Sequence, residues 1–201
     1  MKIETLVKAQ VSDLKQLQVS SNACLQKTIQ GAIIKKNCLI KYGDRGRFLV
    51  TFNPDRQTEF CKDVGRCYFG AAPTLGVLRT TYGENMPASW LVPQLTNLSE
   101  YCGCKEKLTE AQLMECAKII ALTFCYLKVT ELMLFFFYFK SGRYGRFYGN
   151  IDPLIITTSL RQFCTERSDI YFRHENEIQK MRIEKSMQNN ISHEEYLKQK
   201  T

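Results

Sequence analysis

The sequence predicts a mainly α-helical fold: an irregular helical bundle with a small β-hairpin near residues 38–52 and an extended C-terminal helix. Two observations carry the helical part. Apolar residues recur at helical spacing over residues 3–29, 109–128 and 153–187. Strong helix-start signals stand ahead of the later segments, Thr109-Glu110-Ala111-Gln112 and Asp152-Pro153. A third observation carries the hairpin. Cys38-Leu39-Ile40 and Phe48-Leu49-Val50-Thr51-Phe52 flank the turn-like Tyr42-Gly43-Asp44-Arg45-Gly46.

Residues 3–29 place Leu6, Val7, Val11, Leu14, Leu17 and Leu25 among Lys, Gln and Asp, with Ser20-Ser21-Asn22 as a break. The hairpin follows, and packs on helices because a lone hairpin is marginal in water. Pro73 opens a helix through Tyr82, with Gly83 past its end. Ala88–Tyr101 is the next, ending at Gly103, with Pro93 near its first turns where the missing N–H is tolerated. Thr109 to Gln112 form a capping box for a helix running to about Lys128. Thr130-Glu131 begins a short helix ending at Lys140, with Gly142 as its left-handed terminator. Asp152-Pro153 starts the long helix, whose first half (Leu154, Ile155, Ile156, Leu160, Phe163, Cys164) is core-like. Its second half keeps only a thin stripe, Ile170, His174, Ile178, Met181 and Ile183. Ser192-His193-Glu194-Glu195 reads as a capping box for a short tail helix. Residues 1–190 form one helical domain with an N-terminal subregion 1–70, and 191–201 a tail.

The chain has 201 residues, is 44% hydrophobic and carries a formal charge of +8. That favours a polyanionic partner. The excess is local: residues 27–66 hold nine cations against four acids, and 140–150 hold Lys140, Arg143 and Arg146 with no acid. Residues 161–201 nearly cancel. Nine cysteines, an odd number, lie scattered, and Cys116, Cys125 and Cys164 fall within helical patterns. No apolar leader follows Met1. The reading is a cytoplasmic protein with free thiols. Leu132–Phe139 is strongly apolar but too short and too interrupted upstream to span a bilayer, so it is a core helix.

The candidate site is Lys140-Ser141-Gly142-Arg143-Tyr144-Gly145-Arg146-Phe147-Tyr148-Gly149. Read as a nucleic-acid surface, Lys140, Arg143 and Arg146 meet phosphates while Tyr144 and Tyr148 stack on bases. Read as a helix corner, the glycines adopt positive φ, the aromatics are core and the cations are solvated. Arg45 and Arg47 at the hairpin tip would extend the basic surface. Cys61, Cys67, Cys102 and Cys104 offer thiolates, but neither pair has zinc-ligand spacing, and both histidines lie in the tail. Glu110, Glu115 and Glu131 lack the histidine partners of a helical di-metal site. No metal, cofactor or catalytic residue is assigned, and the chain reads as non-enzymatic. The 170–191 stripe offers a seam for a protein partner or for self-association.

The span Leu108 to Arg167 resembles a known family. The landmarks are Leu108-Thr109-Glu110-Ala111-Gln112, Leu127-Lys128-Val129-Thr130-Glu131-Leu132, the Phe139–Gly149 stretch, and Asp152-Pro153 with Arg167; Trp90-Leu91-Val92-Pro93-Gln94-Leu95 fits upstream. These resemble the small helical proteins of unknown function encoded in Bacteroidetes genomes, often on phages and conjugative elements. The resemblance implies a helical domain in a mobile-element setting, among replication and transfer genes. No activity defines the family, so it supplies no catalytic residue. The expected function is a DNA- or RNA-associated accessory protein of a mobile element, acting in replication; the alternative is a protein-protein adaptor docking through the C-terminal helix.

Overall fold

The computed structural model describes residues 26, 28–102, 107–145 and 152–198, with side chains to residue 187. The fold is mainly α-helical. Helix α1 covers 28–42. It is followed by α2 (Arg45–Thr51), a 3₁₀ turn (Pro54–Arg56), α3 (Gln57–Cys61), α4 (Val64–Phe69), α5 (Leu75–Tyr82), α6 (Met86–Tyr101), α7 (Glu110–Thr123), α8 (Val129–Lys140) and α9 (Pro153–Lys198). Among the described residues the only extended pairing is an isolated bridge between Thr74 and Lys128.

The expected hairpin is therefore replaced by two helices. Gly43, at φ 75°, ends α1, and Asp44 caps α2 by accepting the Arg47 N–H at 2.8 Å. Spacing explains the error. A strand would put Phe48, Val50 and Phe52 on one face. In the structure Phe48 and Phe52, one helical turn apart, are buried, while Val50 is 68% exposed. The run is helical in period despite its β-rich composition.

Other elements start where their caps dictate. Thr74 rather than Pro73 caps α5, accepting the Val77 N–H. The Thr109–Gln112 capping box is present in both directions. Asp152 accepts the Leu154 N–H at 2.8 Å as α9 begins. Two readings shift. Pro93 falls in the middle of α6 rather than its first turns. The backbone of α9 is continuous to Lys198, so no new helix begins at Ser192. Residues 3–25, Gly103 and 146–151 lie outside the described residues.

Helix α8 is the axis of the core. Val129 to Phe136 and Phe139 are all buried, as an all-round apolar helix requires. Trp90, Leu91, Leu95 and Leu98 of α6, Ala117 and Ile120 of α7, and Ile156, Leu160 and Phe163 of α9 belong to the same cluster. The N-terminal helices join it through Phe48, Phe52, Cys67 and Tyr68 and through their backbone carbonyls. Phe52 O, at the end of α2, accepts Trp90 Nε1–H at 2.8 Å and Gln94 Nε2–H at 2.9 Å. Gln57 in turn donates to Gln94 Oε1 at 2.7 Å.

Glu131 sits in the first turn of α8 with no solvent exposure. Its Oε2 accepts the Lys128 N–H at 2.8 Å, and its Oε1 accepts Arg167 Nε–H at 2.7 Å. The Tyr171 hydroxyl lies 2.9 Å from the same Oε1. It also reaches the Tyr68 carbonyl at the end of α4, which takes the Lys128 ammonium as well. Arg167 stacks on Tyr171, 4.4 Å from the ring centre. One carboxylate thus gathers α4, α8 and α9. Removing one partner of such a pair leaves a buried charge uncompensated. Arg167→Ala is expected to lower stability by about 3–5 kcal/mol, and the double variant Glu131→Leu/Arg167→Met to recover most of it. Urea unfolding followed by circular dichroism measures both.

Candidate nucleic-acid interface

The Gly-rich corner after α8 is built mainly as packing. Gly142 and Gly145 take positive φ, 79° and 107°, which turns the chain back toward the core. Tyr144 is half-buried, its ring 5.6 Å from Phe135 and 6.4 Å from Phe139. Burial pushes its hydroxyl well above the usual tyrosine range. It is not an exposed stacking platform. Arg143 pairs with Glu166 at 2.9 Å and lies 4.4 Å over the Tyr138 ring. The Lys140 ammonium donates to Asn97 Oδ1 and faces the Tyr101 ring at 5.5 Å. Its burial pulls the amine below the usual lysine range. A phosphate would have to displace Glu166 to gain Arg143. Arg146 and Tyr148 lie outside the described residues.

Arg45 and Arg47 stand differently. They occupy the first turn of α2, not a hairpin tip, and both are exposed. Lys35 and Lys36 on α1, Lys62, and Arg66 on α4 are exposed too. None of these six forms an ion pair among the described residues. Three of the four acids in the segment have other work, and Asp55 is exposed. Asp44 and Asp63 cap α2 and α4, and Glu59 pairs with Arg56 at 2.8 Å.

A cleft of about 290 Å³ opens where α1, α2, α3 and α4 meet. Its aromatic wall is Tyr42, Phe52 and Phe60. Phe52 and Phe60 stack at 5.5 Å and Tyr42 lies 5.4 Å from Phe52. Cations flank the wall: Lys41 lies 5.1 Å over Tyr42 and Arg56 6.0 Å over Phe60, with Arg66 also lining the cleft. Lys41 Nζ and the Tyr42 hydroxyl both donate to Ala71 O, at 2.8 and 3.1 Å. Sequence reasoning missed Lys41, Tyr42, Phe60 and Arg66 as a set. The signal was cations interleaved with aromatics in the basic segment, but the hairpin reading of 38–52 separates Lys41 and Tyr42 from Phe52, and Phe60 and Arg66 join them only through the packing of α3 and α4.

The cysteines here are structural. Cys61 donates to Thr58 O and Cys67 to Phe60 O. Cys104 lies outside the described residues. No group of three or more His, Cys, Asp and Glu among the described residues is placed to hold a metal. No described helix is long and apolar enough to cross a membrane.

Residues 107–201 match the family of unknown function DUF6633. The match takes in α7, α8 and α9, including Glu131 and Arg167, and most of the resemblance read from sequence. It leaves out Trp90–Leu95 and, apart from Thr130, every residue of the cleft. No curated protein and no solved structure matches the chain.

Burial pushes the thiols of Cys67 and Cys116 up to about 11, so at neutral pH they are protonated and poor nucleophiles. Cys125 is exposed. Brief iodoacetamide treatment at pH 8 is expected to label Cys125 and spare Cys67 and Cys116 until denaturant is added. Peptide mapping by mass spectrometry reads this directly.

Proposed function

We propose that this protein is a non-enzymatic nucleic-acid-binding accessory protein that holds the phosphate backbone on the basic surface formed by residues 35–66. The observation that supports this reading is the set of six exposed cations without ion pairs among the described residues, Lys35, Lys36, Arg45, Arg47, Lys62 and Arg66, beside four acids of which three serve caps or Arg56 and Asp55 is exposed. Lys140 and Arg143 would join the surface by leaving Asn97 and Glu166, and Arg146 would add to it, with Tyr144 and Tyr148 positioning the loop. The sequence resemblance supports a mobile-element setting, in which replication and transfer place proteins on DNA. A cytoplasmic location accords with it, since Cys38, Cys61, Cys67, Cys116, Cys125 and Cys164 are thiols rather than disulfides.

Fluorescence anisotropy with labelled single-stranded and duplex oligonucleotides, at low and physiological salt, tests the reading. Each neutralised phosphate contributes about 0.7 to 0.9 to the slope of log affinity against log salt. Arg45→Glu/Arg47→Glu is expected to weaken binding and flatten that slope by about 1.5. Arg143→Glu, starting from a cation already paired to Glu166, is expected to flatten it less. An unchanged slope in the first variant sinks the assignment.

A second reading, a protein-protein adaptor, is favoured by α9. Ile170 and Tyr171 pack on the core, and His174 stacks on Phe69 at 3.8 Å. Beyond them Met181, Ile183 and Met187 are 55–61% exposed. The informative truncation falls after Ile178, because a cut after Asp169 would also remove Tyr171 from the Glu131 cluster. On the adaptor reading that truncation abolishes partner binding or self-association in light scattering. On the nucleic-acid reading it leaves oligonucleotide affinity unchanged.

A further inference from the structure

We infer that the cleft between α1 and α4 takes one unstacked nucleotide, so that the strand this protein prefers is single. The inference rests on the nucleic-acid reading and adds to it a base-binding pocket.

Three features of the cleft carry it. The first is size. At about 290 Å³ it lies at the lower end of ligand sites, room for one small unit and not for a run of stacked bases. The second is the wall. Tyr42, Phe52 and Phe60 form a continuous aromatic patch, with Tyr42 and Phe60 partly buried at its ends and Phe52 buried between them. Every base offers a π-face to such a platform, and stacking of this kind is tolerant of sequence. The third is the rim. Lys41 keeps donors beyond the one given to Ala71 O, and the Arg66 guanidinium has no partner among the described residues. These two cations suit a phosphate. Arg56 is held by Glu59 and by Thr51 O and so serves the wall instead.

The acids decide between ligand classes. Glu59 and Asp63 line the same cleft. Asp63 gives one oxygen to the Arg66 N–H and keeps the other. A plain aromatic carboxylate has no donor to offer these acceptors. A nucleotide offers amino and imino N–H groups to them along with its phosphate. Exposed Lys41 and Arg66 line the cleft themselves, so a backbone held by them can send a base inward. A base paired in a duplex is out of reach unless it is extruded.

Gly70 belongs to the same design. A Cβ there would lie 2.4 Å from Arg66 O, so the chain turns away from α4 closely enough to bring Ala71 O to Lys41 and Tyr42. Cys67 lines the cleft as a protonated thiol bonded to Phe60 O and takes no chemical part.

The test uses the full chain and short oligonucleotides carrying one 2-aminopurine, with anisotropy recorded on the same samples. Quenching of 2-aminopurine that saturates with the anisotropy is the expected result. Phe60→Leu is expected to weaken single-strand binding by about fivefold or more and to leave duplex binding unchanged. Phe60 packs on Phe52, so Arg66→Gln, at an exposed position, serves as the second variant. It should weaken single strands more than duplex. If both variants affect the two forms equally and 2-aminopurine stays bright, the cleft inference fails while salt-sensitive binding upholds the broader reading. If no oligonucleotide binds even at low salt, that reading fails. A Phe60-dependent titration with a nucleoside monophosphate then separates the two: binding retains the cleft as a nucleotide site, and its absence overturns both.

Discussion

A single carboxylate, that of Glu131, holds the arrangement of the helices together. It is wholly buried at the start of the most buried helix, and its two side-chain partners come from one element distant in sequence, α9. Burying a charge is costly, and pairing returns that cost only where geometry is good and the remaining lone pairs are filled. Here the Lys128 N–H and the Arg167 guanidinium fill them, with the single Tyr171 hydroxyl proton shared between Glu131 Oε1 and Tyr68 O. Such a cluster contributes less to total stability than to uniqueness. Apolar α8 would accept many rotations against its neighbours, but the position of Glu131 satisfies its partners in one of them.

The N-terminal helices obey a second constraint of the same kind. They are short, and isolated helices of five to seven residues do not persist in water. Their ends are held from outside. Phe52 O is closed by Trp90 and Gln94, Cys67 O by the Thr130 hydroxyl, and Tyr68 O by Lys128 and Tyr171. The carbonyls that short helices leave open become the points where they attach. The cleft is the space left between helices fixed this way, and its walls are as rigid as those attachments.

Much of the fold was legible in the sequence because the caps are local chemistry. Thr109 with Gln112, Asp152 with Pro153, and Gly142 act within four residues, and each stands where the sequence placed it. The buried character of Leu132–Phe139 was equally plain, since only a core helix tolerates apolar groups on every side. Residues 38–52 were misread because Phe, Leu, Val and Thr favour strands locally, whereas the Asp44 cap and the Phe48–Phe52 spacing favour a helix. The corner after α8 was undecidable from composition. Arg143, Tyr144 and Lys140 have the chemistry of a binding loop, and only the positions of Glu166, Phe135 and Asn97, distant in sequence, reveal that they are engaged. The cleft was invisible for a related reason: it needs four helices to exist before its residues become neighbours.

The helix α4 faces two ways. Arg66 and Cys67 line the cleft, and the next residue, Tyr68, gives its carbonyl to Tyr171 of α9. Helix α9 has 46 residues, so it is about 69 Å long, and more than half of it follows His174, which stacks on Phe69. It is a lever with its fulcrum at the Glu131 cluster. A load on the far arm that shifts Tyr171 disturbs the end of α4 and, one residue further, the mouth of the cleft. Coupling of this kind is reciprocal: if a load on the arm changed the affinity of the cleft, an occupant of the cleft would change the affinity of the arm for its load by the same factor.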